Sequence, residues 1–534
     1  MAARTTVLVN ADIRTMDPRR ARAEAVSFSA GRILQVGDGN KLLRGAGPNL
    51  QIFDAGGRTV LPGFIDCHTH FLSLGVWSNR LDLFGTRKLS DVLEAVKNRA
   101  IGKVKSVGGK QKNADSQAAC WILGRGWDEA KWPEGRYLTR RDLDAVSPKN
   151  PVMLIRVCGH LATLNSKGLE ALRKVVGKKD VDGSTGIITE RALELARRHL
   201  RPSMEEMAAG LEYSLDLARR LGVTSVHDII DVDKLKAYEA ARESRRLTVR
   251  ACLHFEQGDF LELLRIGNHT GWGGPVLRLG GMKLYADGSF GARTAALEEP
   301  YADAPKERGR LLHSSAHLRS AVRDAEKGGF QLLIHAIGDR AAGQVVSAFA
   351  SVLKGPTGLR HRIEHLELPD KRWLSQMRGL GLFASMQPNF VGEWGRPGGM
   401  MEARLGKRRY QHADPFKAVL KARVPLVFGS DCMPFNPLWG IHSAVNAPFP
   451  DQQLTVEEAV AAYTRTAAFA SFEERFKGTL APGMAADLVV LSGDPFRNRR
   501  RIRDIRVEAT VFDGRFIRGW DLFRRSKSSR TGQL

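Results

Sequence analysis

Four histidines and an aspartate stand directly after short apolar runs, at widely separated points of the chain. His68-Thr69-His70 follows Leu61-Pro62-Gly63-Phe64-Ile65-Asp66. His335 follows Leu332-Leu333-Ile334, His365 follows Arg362-Ile363-Glu364, and Asp431 follows Val427-Phe428-Gly429-Ser430. Alternation along a strand puts His68 and His70 on one face with Cα atoms roughly 7 Å apart. That spacing lets both imidazoles ligate one divalent ion. An isolated pair of this kind is a weak signal. Five metal-type residues in the same position relative to apolar runs form a joint signal for a metal-dependent active site.

The elements that must position them read as an α/β chain. Apolar strand cores lie at Thr59 to Ile65, Val223 to Val226, Thr248 to Leu253, Met282 to Tyr285, Gln331 to Ile334, Arg362-Ile363, Leu382 to Ser385 and Pro425 to Phe428. Most are followed by a helical pattern, as in an eight-stranded (β/α)8 TIM barrel, whose chemistry collects at the C-terminal strand ends. His68 and His70, His335, His365 and Asp431 would then sit at the mouths of strands one, five, six and eight. Short strands with turn chemistry at both chain ends, residues 1–60 and 475–520, imply a small composite β domain closed by both termini. The barrel domain spans 61–474. Its first gap, about 150 residues, far exceeds a loop. Pro151 to Val157 reads there as a strand, and Gly168 to Val176 and Glu190 to His199 as helices. This predicts a folded α/β insertion, or lid, at about 80–215, with Lys103 to Gln117 as a flexible loop and 521–534 as a basic tail.

The motifs PGFIDCHTH, ILGRGWDE, KLYADGSFGART, LLIHAIGDRA, RIEHLEL, GSDCMPFNPLWGI and GTLAPGMAADLVVL occur in this order. In them the chain resembles the amidohydrolase superfamily, in the amidohydrolase-3 branch that includes N-substituted formamide deformylases. The resemblance implies a distorted barrel with a composite β-sandwich, one or two divalent ions such as zinc, and hydrolysis of an amide-like C–N bond. It implies that His68 and His70 hold the more buried ion and His335 and His365 a second, while Asp431 contacts the first ion and handles the proton. Lys283 occupies the fourth-strand position where related enzymes carry a carboxylated lysine. An ammonium beside two cations is repelled, whereas CO₂ addition makes it an anionic oxygen ligand. Glu190 is the rival bridging carboxylate, and a single-ion site is a third arrangement. Candidate substrate contacts are Trp127, Asp128, His160 and Asn165 from the insertion, with Asp287 and Arg293 from the barrel. A same-fold deaminase of a heterocycle and a catalytically silent barrel used for binding are the rival functions. The local motif around His335 lacks the deaminase glutamate, and a scaffold would lose the histidines that this chain keeps.

Composition narrows the rest. A net charge of +24 invites a polyanion partner, but no RNA motif, zinc finger or helix-turn-helix signal accompanies it. The basic run Arg497 to Arg503 reads as a solvated face, so a small-molecule substrate is expected and no specific nucleic acid. No apolar run suits a membrane span or a signal peptide. The five cysteines are scattered without paired spacing, which fits reduced thiols in the cytoplasm. A homodimer stays open.

Overall fold

The computed structural model describes residues 4–45, 49–102, 121–157, 159, 161–177, 181–519 and 521. The Lys103 to Gln117 stretch and the tail beyond 521 lie outside the described residues. Contacts divide the chain into two units, residues 1–71 with 215–534, and residues 72–214.

In the first unit, eight parallel strands follow one another in sequence order. They are β1 (Phe64–Thr69), β2 (Val223–Ile230), β3 (Arg250–Glu256), β4 (Leu277–Tyr285), β5 (Gln331–Ala336), β6 (Arg362–His365), β7 (Phe383–Met386) and β8 (Leu426–Phe428). All eight expected strands are present, and the sheet nearly closes as a (β/α)8 barrel. β8 returns to β1, where Asp431 N–H donates to the His68 carbonyl at 2.8 Å. Gly429 permits this approach, because a Cβ there would lie 2.4 Å from the His68 nitrogen.

The first expected strand, Thr59 to Ile65, is in fact two. Thr59–Pro62 pairs with Leu488–Leu491 in another sheet, and β1 begins at Phe64. Gly63 is the joint, since a Cβ there would fall 2.1 Å from the Thr224 hydroxyl of β2. Thr59–Pro62 belongs to a six-stranded sheet with Asp12–Arg14, Val507–Phe512 and Arg515–Arg518. A four-stranded sheet of Thr5–Val9, Ala25–Ser29, Arg32–Gly37 and Leu50–Asp54 completes a composite β-sandwich. Leu8, Val26 and Phe28 from the N-terminal segment share its core with Leu488, Val490 and Val511 from the C-terminal one.

The second unit has its own six-stranded sheet, in which Val152–Arg156 pairs with both Ile122–Trp127 and Leu161–Leu164. Its helix Glu190–His199 buries Ala192, Leu193 and Ala196 at helical spacing. Arg197, Arg198 and His199 fill the last turn, where the helix dipole favours cations.

Candidate active site

Most of the expected metal-type residues converge at the C-terminal end of the barrel. His68, His365 and Asp431 offer ligand atoms that all lie within 4.8 Å of one another. The group draws one histidine from each expected pair. His68 Nε2 stands 3.9 Å from Asp431 Oδ1, and His70 Nε2 stands 3.4 Å from the same oxygen. The His365 ring lies between those of His68 and His335, with centroid separations of 4.8 and 4.3 Å. His335 Nε2 donates to the Gly288 carbonyl at 2.9 Å.

Local backbone geometry fixes these positions at a cost. His365 and Asp431 both adopt left-handed conformations, at φ 70° and 48°, and so do the residues that follow them, Leu366 and Cys432. Such conformations cost non-glycine residues of order 1–3 kcal/mol and collect at functional sites. Asp66 anchors the seam, accepting from Ser430 N–H at 2.9 Å and from His68 N–H at 3.3 Å.

Electrostatics suits metal ligation. Burial holds His68 and His365 well below the usual imidazole range, and nearby cationic and imidazole groups add to the effect, so both stay neutral. Burial likewise brings His335 down to about 3. It pushes Asp431 up to about 7 against the pull of Lys283. Asp431 Oδ1 and His365 Nδ1 are buried without a hydrogen-bond partner among the described residues. Buried polar atoms are seldom left so. Two neutral imidazoles and a carboxylate with unspent lone pairs fit a divalent ion of the zinc type.

Lys283 lies on β4 and is 1% exposed. Its Nζ has no hydrogen-bond partner among the described residues and stands 4.9 Å from the Tyr285 ring centroid. Burial draws it down to about 8, while Glu364 and Asp431 oppose the shift. Asp287, a candidate substrate contact, accepts the backbone N–H groups of Ala296, Ile337 and Gly338 at 2.8, 3.0 and 2.9 Å. It therefore ties down the segment that follows His335. Arg293 is engaged with Asp303 through two bonds of 3.1 and 3.0 Å.

Within the insertion, Trp127 is wholly buried and its indole N–H donates to the Leu154 carbonyl at 2.9 Å. That is the part of a core residue, with no exposed surface for a substrate. Asn165 caps the helix Ser166–Leu172 through Gly168 N–H, and Asp128 lies 3.7 Å from Arg156. Glu190 opens its helix, but its side chain and His160 lie outside the described residues.

Two residues of the site escaped the sequence reading. Glu364 accepts from His68 Nδ1, and Arg362 Nε donates to Glu364 at 2.7 Å. The signal was present, for two charges alternate within a four-residue barrel strand and so face one side of it.

The model of the amidohydrolase family Amidohydro_3 matches residues 51–518. The chain belongs to that family. It is 30% identical to YtcJ of Bacillus subtilis (strain 168), over 95% of this chain and 98% of that one. It is 26% identical to an N-substituted formamide deformylase of Arthrobacter pascens, over 96% and 98%. Among solved structures it is similar to an uncharacterized metal-dependent hydrolase from Pyrococcus furiosus, at 30% identity and a TM-score of 0.76, covering 92% of this chain and all of that one. This family member is thus a metal-dependent hydrolase with a His-His-Asp group at its barrel mouth. Among the described residues, no helix is long and apolar enough to cross a membrane.

Proposed function

We propose that this hydrolase cleaves an amide-like C–N bond of a small molecule, such as an N-acyl or N-formyl amine. The observation that carries the reading is the meeting of His68, His365 and Asp431 within 4.8 Å, with Asp431 Oδ1 unspent. The relative named N-substituted formamide deformylase supports the choice of bond.

His68, His365 and Asp431 would hold one ion, zinc in this reading, with His70 beside Asp431 on the exposed side. A bound divalent ion polarises the scissile carbonyl and acidifies water toward neutrality. Asp431 accepts the proton of the attacking water at Oδ1 and returns it to the leaving nitrogen, a base turned acid. His68 and His365 remain neutral throughout, so no imidazolium competes for the carboxylate. The Lys283 amine, drawn down to about 8, is partly unprotonated near neutrality. That form adds CO₂ through its nitrogen lone pair and releases a proton, giving the carbamate oxygen this reading places among the ligands. Buried, unpaired Cys67 and Cys252 suit a reducing, cytoplasmic setting.

Metal analysis of purified protein, followed by a panel of N-formyl and N-acyl amines, tests the proposal. Turnover of at least one amide class with bound metal is expected. Metal-loaded protein that hydrolyses only esters, or only deaminates heterocycles, overturns it.

A further inference from the structure

Arg362 is wholly buried at the start of β6, and its guanidinium is almost saturated. It donates to Glu364 Oε1 at 2.7 Å, the Cys67 carbonyl at 2.6 Å, the Ser385 hydroxyl at 2.9 Å and His227 Nδ1 at 3.0 Å. These partners come from β1, β2, β6 and β7, so the group is locked from four sides. A guanidinium can only donate. A charge-assisted bond to Oε1 from a buried cation favours the carboxylate form of Glu364, whose second oxygen, Oε2, meets His68 Nδ1.

An ionised carboxylate also cannot donate, so the proton of neutral His68 must sit on Nδ1. Nε2 is left bare, and it is Nε2 that faces Asp431 Oδ1 at 3.9 Å. We propose that Arg362 and Glu364 are positioning residues that set the tautomer of His68 and so present Nε2 to the metal. The inference rests on the metal site proposed above. It adds that the ligand nitrogen is chosen by a buried pair that touches neither the ion nor the substrate.

The chemistry of Glu364→Gln makes the idea breakable. Arg362 still requires an acceptor, so the amide oxygen of the variant turns toward it. The amide N–H₂ then faces His68 Nδ1, which must become the bare nitrogen, and the proton moves to Nε2. Loss of an outer partner of this kind lowers metal affinity about 10- to 100-fold. Affinity for Zn²⁺ is measured by chelator competition on folded parent and variant. Ring ¹⁵N spectra of histidine-labelled, metal-free protein are recorded beside it, with His68 assigned by its loss in His68→Gln.

The expected result is a parent protonated at Nδ1, a variant protonated at Nε2, and a 10- to 100-fold weaker Zn²⁺ complex. Unchanged affinity with an unchanged ring pattern overturns the proposal. If the variant does not fold, the parent spectrum decides alone, and a His68 protonated at Nε2 overturns the idea. A parent that shows the expected tautomer yet binds no Zn²⁺ sinks the metal reading instead, so the two failures are distinguishable.

Discussion

Two buried arginines open barrel strands, and they end in different ways. Arg250, 2% exposed on β3, bonds Asp487 at 2.6 and 3.1 Å, Asp513 at 3.0 Å and the Pro275 carbonyl at 3.1 Å. Phe476 and Phe512 stack on it. This network joins the barrel to the C-terminal strands of the sandwich and closes on itself. Arg362 is equally buried, but its network runs through Glu364 to His68 and stops at a nitrogen facing an unspent Asp431 oxygen. A buried charge whose partners are complete holds elements together. One whose chain ends in unspent lone pairs is built for a ligand, since burying such atoms costs free energy unless something meets them.

The comparison breaks first at its open end. Asp431→Asn keeps the shape of the site but removes the proton acceptor, so turnover falls about 10²- to 10⁴-fold in a folded protein. Full turnover with metal bound would place the base elsewhere. The closed end predicts the opposite split. Arg250→Met removes the cationic partner of buried Asp487, which keeps the Asp513 N–H, and costs about 3–5 kcal/mol of stability. Denaturant unfolding should show that loss, while turnover per folded molecule and Zn²⁺ affinity stay at parent values. An altered affinity would mean that the two networks are coupled. Metal removal comes next. At an ion concentration of 100 times Kd, binding stabilises the folded state by about 2.7 kcal/mol. Thermal melting with and without chelator should show this for the parent but not for a His68→Ala, His365→Ala double variant.

Much of this was legible in sequence, and the limits have physical causes. The eight strands follow from short apolar runs, a pattern that the closely packed barrel interior imposes locally, and the mouth residues from the His or Asp that ends the runs of strands one, five, six and eight. The break at Gly63 was not legible, because Thr59–Pro62 and β1 are continuous in hydropathy and only the approach of Thr224 separates them. The close approach of His68, His365 and Asp431 depends on the closure of β8 against β1 and on left-handed backbone at His365 and Asp431. Neither leaves a compositional trace. Trp127, expected as a substrate contact because it lies in the insertion, spends its N–H on Leu154 inside the insertion core, a burial that the local sequence does not mark.

A third pair sharpens the contrast from the solvent side. In the insertion, Arg136 donates to both oxygens of Asp142 at 2.8 Å, and Asp142 also accepts from the Thr139 backbone N–H and hydroxyl at 2.9 and 2.6 Å. Burial opposes ionisation there, but these donors outweigh it and hold the carboxyl at about 2, against 3.8 when free. Arg136 is about half exposed, at 49%, so water screens the pair in a way it cannot screen Arg362 or Arg250. Asp142→Ala should therefore cost only about 1 kcal/mol, the worth of a helix cap, well below the loss from Arg250→Met. The sign with pH follows from the lowered value. The ionised carboxylate stabilises the folded state fully above pH 3.8, and that contribution is lost as pH falls through about 2. Urea midpoints of parent and variant should differ by a constant amount from pH 7 to 5 and draw together below 3.8. A gap that widens in acid would show that Asp142 is stabilising as the neutral acid, and that the pair with Arg136 contributes nothing.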